Sequence, residues 1–189
     1  MKKIILASGS PRRTQLLAQV GMEHEIIVSN VEEKVTSNEP KCVVEELSKQ
    51  KACDVFSKTE GDVLVIGADT VVAQDNEILG KPRDEEHAFL MLRNIAGRSH
   101  SVFTGVTLCF REKDKEEIIT FAEETKVFVD NMTDEAILEY IRSGDCMDKA
   151  GAYGIQGRFA AFVNGIEGDY NNVVGLPVGR ICKVLRERN

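Results

Sequence analysis

The sequence predicts an α/β fold, a mixed sheet flanked by helices, and three observations carry that expectation. A short apolar run, residues 4–7, is cut off by Ser8-Gly9-Ser10 and followed at once by a helical apolar stripe. The most apolar segment of the chain, residues 62–72, reads as a buried strand between two helical patterns. Two further strand patterns, residues 101–110 and 118–129, flank the charged stretch 111–117, as in an antiparallel hairpin with an exposed tip.

Each element has a local reason. After the first strand, Ser10 suits an N-cap, Pro11 suits the first helical position, Leu16, Leu17 and Val20 supply the stripe, and Gly21 supplies the stop. Residues 24–29 read as a second strand. Glu39-Pro40 opens a helix to about residue 58, with Val44, Leu47 and Val55 on one face. After a turn at Gly80-Lys81-Pro82, residues 84–96 are helical, with Ala88, Leu92 and Ile95 spaced for one face and Gly97 as terminator. Residues 134–142 form a further helix and residues 159–163 a further strand, and Pro177 opens a last helix to about residue 187.

The bulk composition bounds the function. With 189 residues, 42% hydrophobic and 29% charged, the chain reads as one ordinary globular domain over residues 1–189, compatible with two lobes around a cleft. A formal charge of -7 argues against a surface built to hold a nucleic-acid backbone, so any anion site must be local. Five scattered cysteines without a CxxC pair fit reduced thiols in a cytosol. The basic start, Met1-Lys2-Lys3, leads only four apolar residues before Ser8, too few for a signal peptide, and no stretch is long enough for a membrane helix.

The chemical signals are local. Arg12 and Arg13 fall in the first turn of a helix, where the macrodipole disfavours cations. A phosphate there would offset them, held by backbone N–H groups, by the Ser8 and Ser10 hydroxyls and by guanidinium forks; the alternative is two solvated arginines beside a capping serine. The pattern is no P-loop, since the Gly-Lys-Ser/Thr ending is missing. Asp69 follows a buried-looking run and should emerge at the carboxyl end of its strand, where ligands collect in α/β sheets. It either holds Mg2+ and orients water, or caps a turn and accepts from Thr70. Lys51 interrupts an apolar helical stripe, either snorkelling past the core or reaching into a cleft. Lys81 sits on a turn, aimed at a ligand or solvated. Glu32-Glu33 offers metal carboxylates or plain acidic surface. The three histidines lack ligand spacing and read as structural or surface residues, and no nucleophile motif for a serine or cysteine hydrolase occurs. Three glycines within residues 151–157 mark backbone that turns sharply or approaches something closely.

Taken in series, Leu6-Ala7-Ser8-Gly9-Ser10-Pro11-Arg12-Arg13, Gly67-Ala68-Asp69-Thr70, Gly80-Lys81-Pro82, Asp148-Lys149-Ala150-Gly151-Ala152-Tyr153-Gly154-Ile155-Gln156-Gly157 and Gly175-Leu176-Pro177 resemble the Maf family of nucleotide pyrophosphatases. The resemblance implies a two-lobed fold like that of inosine triphosphate pyrophosphatases, a nucleotide cleft and commonly a homodimer. It also implies cleavage of a nucleoside triphosphate between its α and β phosphates, with Mg2+ or Mn2+. By matched motif, Asp69 takes the catalytic acidic position, Ser8, Arg12, Arg13, Lys51 and Lys81 become candidates for holding the triphosphate, and Glu33 joins Asp69 as a metal carboxylate. Arg12, Thr70 and Gln156 stand where the dTTP/UTP branch has its specificity residues, and the 7-methyl-GTP branch differs there. Gln156 offers a donor and an acceptor to a pyrimidine edge, beside glycines that let backbone approach the base. The competing readings are a nucleotide-binding regulator of septum formation with little turnover, and a 7-methyl-GTP pyrophosphatase.

Overall fold

The computed structural model describes residues 3–113 and 115–188. Met1 and Lys2 of the basic start and Asp114 of the charged tip lie outside the described residues. The elements in chain order are β1 (Lys3–Leu6), α1 (Pro11–Gln19), β2 (Glu25–Ile26), α2 (Pro40–Phe56), β3 (Val63–Gln74), β4 (Glu77–Leu79), α3 (Glu85–Ile95), β5 (Ser99–Glu112), β6 (Lys115–Val129), α4 (Asp134–Arg142), β7 (Val163–Glu167), α5 (Tyr170–Val174) and α6 (Val178–Arg188). Among the described residues seven strands form one sheet in the order β2-β1-β3-β5-β6-β7, with β4 on β3. The sheet is mixed, since β1 runs parallel to β2 and β3 while the neighbouring pairs β3–β5, β5–β6 and β6–β7 are antiparallel. A mixed sheet flanked by helices is therefore what the chain forms.

The two faces of β3 follow its alternation. Leu64, Ile66, Ala68 and Val72 join the large core with residues of α1, α3, α4 and α6. Val63, Val65 and Val71 face α2. On that second face Gly67 and Gly105 carry no side chain, and α2 lies hard against the sheet as a result. A Cβ on Gly67 would come within 2.5 Å of the Ser48 carbonyl oxygen and 2.7 Å of the Ala52 backbone, and one on Gly105 would collide with the Val44 carbonyl. Ser48 and Ala52 flank Lys51, so the Gly67 contact fixes the part of α2 that carries the lysine.

Several boundaries differ from the sequence reading. Of the strand expected over residues 159–163, only Val163 is in a strand. Arg158–Phe162 forms a 3-10 turn and the strand begins at Val163. Phe159 and Phe162, three apart, share one side of such a turn, and Phe159 packs in an aromatic cluster with Tyr140, Tyr153 and Phe162. The second strand is confined to Glu25–Ile26, because β1 itself ends at Leu6 and offers no further rungs. Ser10 is the N-cap of α1 by backbone, but its hydroxyl makes no capping bond. The hairpin into β4, absent from the sequence reading, turns at Asp75 and Asn76, both at positive φ, 51° and 66°.

Asp69 does not emerge at a strand end. β3 continues five residues beyond it to Gln74, with Asp69 opposite Gly105 on β5. The feature that exposes it lies on the other edge of β3. There β1 pairs with Lys3↔Val63 through Leu6↔Ile66, and β4 pairs only from Val72↔Leu79 onward. Residues 67–71 of β3 thus border a notch between the end of one neighbour and the start of the next.

Candidate active site

The notch opens into a cleft of about 480 Å3, within the usual size of a small-molecule site. Its lining includes Arg12 and Arg13 of α1, Asp69 and Thr70 of β3, Lys81 after β4, Asp145, Asp148 and Lys149, residues 153–157, and Gly175. Four cationic side chains meet three carboxylates there, a local excess of positive charge in a chain of net charge -7.

Successive residues on a strand point to opposite faces, and Asp69 and Thr70 use this to divide the site. Asp69 is met from the α2 side, where Lys51 Nζ lies 2.5 Å from Asp69 Oδ1 and 3.0 Å from Glu33 Oε1. Lys51 therefore neither snorkels to open water nor lines the cleft. It stands behind the catalytic candidate and ties it to Glu33. Asp69 and Lys51 are both largely buried, with side-chain exposures of 16% and 19%, so the pair is shielded from screening.

Thr70 points the other way, toward Arg13. The Arg13 guanidinium donates to the Gly175 carbonyl at 2.9 Å, Ser8 Oγ at 3.1 Å, the Ala68 carbonyl at 2.8 Å and Thr70 Oγ1 at 3.1 Å. The Ala68 bond explains the geometry. The last rung of the β1 ladder runs from the Ala7 N–H to the Ile66 carbonyl, and a continued parallel strand would next supply an N–H to Ala68. The chain turns away at Ser8-Gly9-Ser10 instead, and Arg13 returns from α1 to fill the rung. Burial pulls the Arg13 pKa below its ordinary range while the charge of Asp69 opposes the shift; the group remains a cation at neutral pH. Ser8 is buried and serves the same junction, accepting from Arg13 and from the Ser10 N–H at 3.3 Å.

The two arginines that the sequence presents together thus separate. Arg12, one residue earlier on α1, lines the cleft and makes no hydrogen bond or ion pair with any described residue, and Lys81 and Gln156 are likewise uncommitted. Arg12, Arg13, Asp69, Thr70, Lys81 and Gln156 come together in the cleft; Ser8, Lys51 and Glu33 are not among the residues that line it, and Lys51 joins Glu33 to Asp69.

Lys149, Asp145 and Asp148 escaped the sequence reading as site residues. Lys149 Nζ donates to the Asp145 carbonyl at 2.7 Å, to Asp145 Oδ1 at 2.9 Å and to Asp148 Oδ1 at 2.7 Å. Burial alone lowers its pKa, but the bonds from Asp148 and Asp145 outweigh burial and raise it. Gly154 and Gly157 make room for this cluster, while Gly151 packs against Val72. A Cβ on Gly154 would lie 2.7 Å from Lys149 Cε, and one on Gly157 would strike the Asp145 carboxylate. The glycine signal was thus the available pointer, and the close neighbour proves to be the chain's own lysine and aspartate.

The donor set at Asp69 suits a hard divalent cation. Asp69 and Glu33 oxygens already converge on one positive centre, the Lys51 ammonium, and no described residue bonds the second Asp69 oxygen. One or two carboxylates completed by phosphate and water oxygens is the arrangement Mg2+ and Mn2+ accept, and no cluster of three or more ligating side chains exists among the described residues.

The model of the family described as Maf-like protein matches residues 3–188. The chain belongs to the Maf family. This Maf-family chain is 52% identical to a dTTP/UTP pyrophosphatase of Agathobacter rectalis, over 99% of its own length and 98% of the relative. It is 51% identical to a dTTP/UTP pyrophosphatase of Carboxydothermus hydrogenoformans, covering 98% of both chains. Among solved structures, the Ham1 protein of Staphylococcus aureus aligns at a TM-score of 0.45 and 14% identity, over 68% of this chain and 72% of that one.

Proposed function

We propose that the chain, acting as one unit over residues 1–189, hydrolyses UTP and dTTP to the monophosphate and pyrophosphate. The observation that carries this is the notch: a carboxylate anchored by a buried lysine faces the same cleft as two cations, Arg12 and Lys81, that make no hydrogen bond or ion pair with any described residue. The names of the full-length relatives at 51–52% identity support the same substrates.

In this reading Arg12 and Lys81 bind the phosphate oxygens and offset charge that builds on the leaving pyrophosphate. The backbone N–H groups opening α1 add to this, and the remaining Arg13 N–H is aimed from the junction that Ser8 completes. Lys51 holds the Asp69 carboxylate in one orientation, so that Asp69 takes the proton of the water attacking the α phosphorus, a general-base role worth roughly 100- to 10,000-fold in rate. Mg2+ or Mn2+ held by Asp69 and Glu33 would supply charge neutralisation and a more acidic bound water. Thr70, Arg12 and Gln156 read the nucleotide's identity, the uncommitted Gln156 amide offering both donor and acceptor. We assign the enzyme to the cytosol, acting on free nucleotides rather than nucleic acid and as the homodimer the resemblance implies; five free thiols are in keeping with a reducing compartment.

The test is a panel of nucleoside triphosphates with Mg2+ or Mn2+, detecting pyrophosphate and orthophosphate separately. UTP and dTTP should give pyrophosphate and the monophosphate. Binding without product would favour the regulator, and preferred turnover of 7-methyl-GTP would favour that branch; either overturns the proposal.

A further inference from the structure

Thr104 on β5 is fully buried and lies outside the cleft lining. Its hydroxyl lies 3.0 Å from the Asn172 carbonyl oxygen and 2.9 Å from Thr70 Oγ1. A hydroxyl has one proton, and a carbonyl oxygen only accepts. A buried carbonyl left unpaired is costly, so the Thr104 proton goes to Asn172. Thr104 then has only lone pairs for Thr70, and the Thr70 proton must point inward to it. Arg13 Nη2, which only donates, takes one Thr70 lone pair at 3.1 Å. The chain of bonds therefore has one direction, from Arg13 through Thr70 and Thr104 to Asn172.

What Thr70 has left for the cleft is a lone pair. Gly175 keeps that side open because it has no side chain; a Cβ there would already be in van der Waals contact with Thr70 Oγ1, at 3.6 Å. We infer that Thr104 is a positioning residue that makes Thr70 an obligate acceptor toward the cleft, selecting a pyrimidine edge that donates an N–H. The imide N3–H of uracil or thymine is such a donor, whereas N3 of cytosine is an acceptor and would face another acceptor. The inference rests on the proposed nucleotide site and assigns the sense of its base discrimination to a residue behind it.

Three comparisons of kcat/KM for pyrophosphate release test it. The unmodified enzyme should turn over N3-methyl-UTP at least about tenfold less efficiently than UTP, the loss expected when a hydrogen-bonded contact becomes an unpaired one; equal efficiency overturns the inference. Thr104→Val keeps the shape but frees the Thr70 proton, so the UTP:CTP ratio should fall at least about tenfold while Thr104→Ser preserves it. An unchanged ratio in folded Thr104→Val overturns the inference, as does Thr104→Ser behaving like the valine variant. A shift in the UTP:dUTP ratio with UTP:CTP constant would put the donor on the sugar hydroxyl and overturn the base assignment. If Thr104→Val does not fold, the methylated nucleotide and the serine variant still decide. Absence of pyrophosphate from every nucleotide would instead count against the functional proposal.

Discussion

Lys51 of α2 and Asp69 of β3 form a largely buried ion pair at 2.5 Å, and the same lysine reaches Glu33 at 3.0 Å. The pair connects the helix that covers one face of the sheet to the one carboxylate that β3 presents in its notch.

Replacing Asp69 with Asn keeps the shape and removes the proton acceptor. Turnover should fall roughly 100- to 10,000-fold while nucleotide affinity stays within about tenfold, because the cations that bind phosphate are untouched. Steady-state kinetics beside a binding titration check this, and normal turnover would remove Asp69 from the chemistry.

Arg12 and Arg13 should separate by readout. Arg13→Ala strips a donor from Ala68, Gly175 and Thr70 together and should cost roughly 3 kcal/mol, lowering Tm by about 6–12 °C. Arg12→Ala should leave Tm nearly unchanged and raise KM for the triphosphate. Thermal melts and kinetics on both variants decide, and equal Tm losses would contradict the structural role given to Arg13.

The contact beneath Lys51 can be tested through a glycine. Gly67→Ala drives a methyl into the Ser48 and Ala52 backbone and should destabilise by about 2–3 kcal/mol, with a fall in kcat as Lys51 is displaced. Gly179→Ala, in α6 with open space around its Cβ position, should instead stabilise slightly. Denaturant unfolding of the two variants gives opposite signs if the packing is as described.

His100 supplies a pH test. It is buried, its Nε2 lies 2.6 Å from Tyr153 Oη, and Nδ1 has no partner among the described residues. Burial lowers its pKa from 6.5 to about 4. Between those values the unfolded chain binds a proton that the folded chain refuses, so the contribution is complete above about pH 6.5 and is lost as pH falls toward 4. The loss is on the order of 3 kcal/mol. His100→Gln should flatten the dependence of unfolding free energy on pH across that window, and an unaltered slope would show that another group sets it.

Much of this site was legible in the chain, and the missing parts share a cause. The apolar run of β3, the odd lysine in the α2 stripe and the two arginines opening α1 all follow from local pattern. The notch does not, because it depends on where β1 stops relative to β3 and where β4 rejoins it, a register that only tertiary pairing sets. The different fates of Arg12 and Arg13 follow from adjacent helical positions that do not share a face, and which one meets the sheet edge is decided by how α1 docks. Lys149 lies in a segment without periodicity; the nearby glycines mark a close approach, but that Lys149 and Asp145 are what approaches is set by the fold.

Hydrolysis of UTP in 18O-labelled water by the unmodified enzyme tests the central claim most directly. Water activated at Asp69 should attack the α phosphorus and leave the label in the monophosphate, with unlabelled pyrophosphate. Label in the pyrophosphate, or release of orthophosphate in its place, would contradict the account.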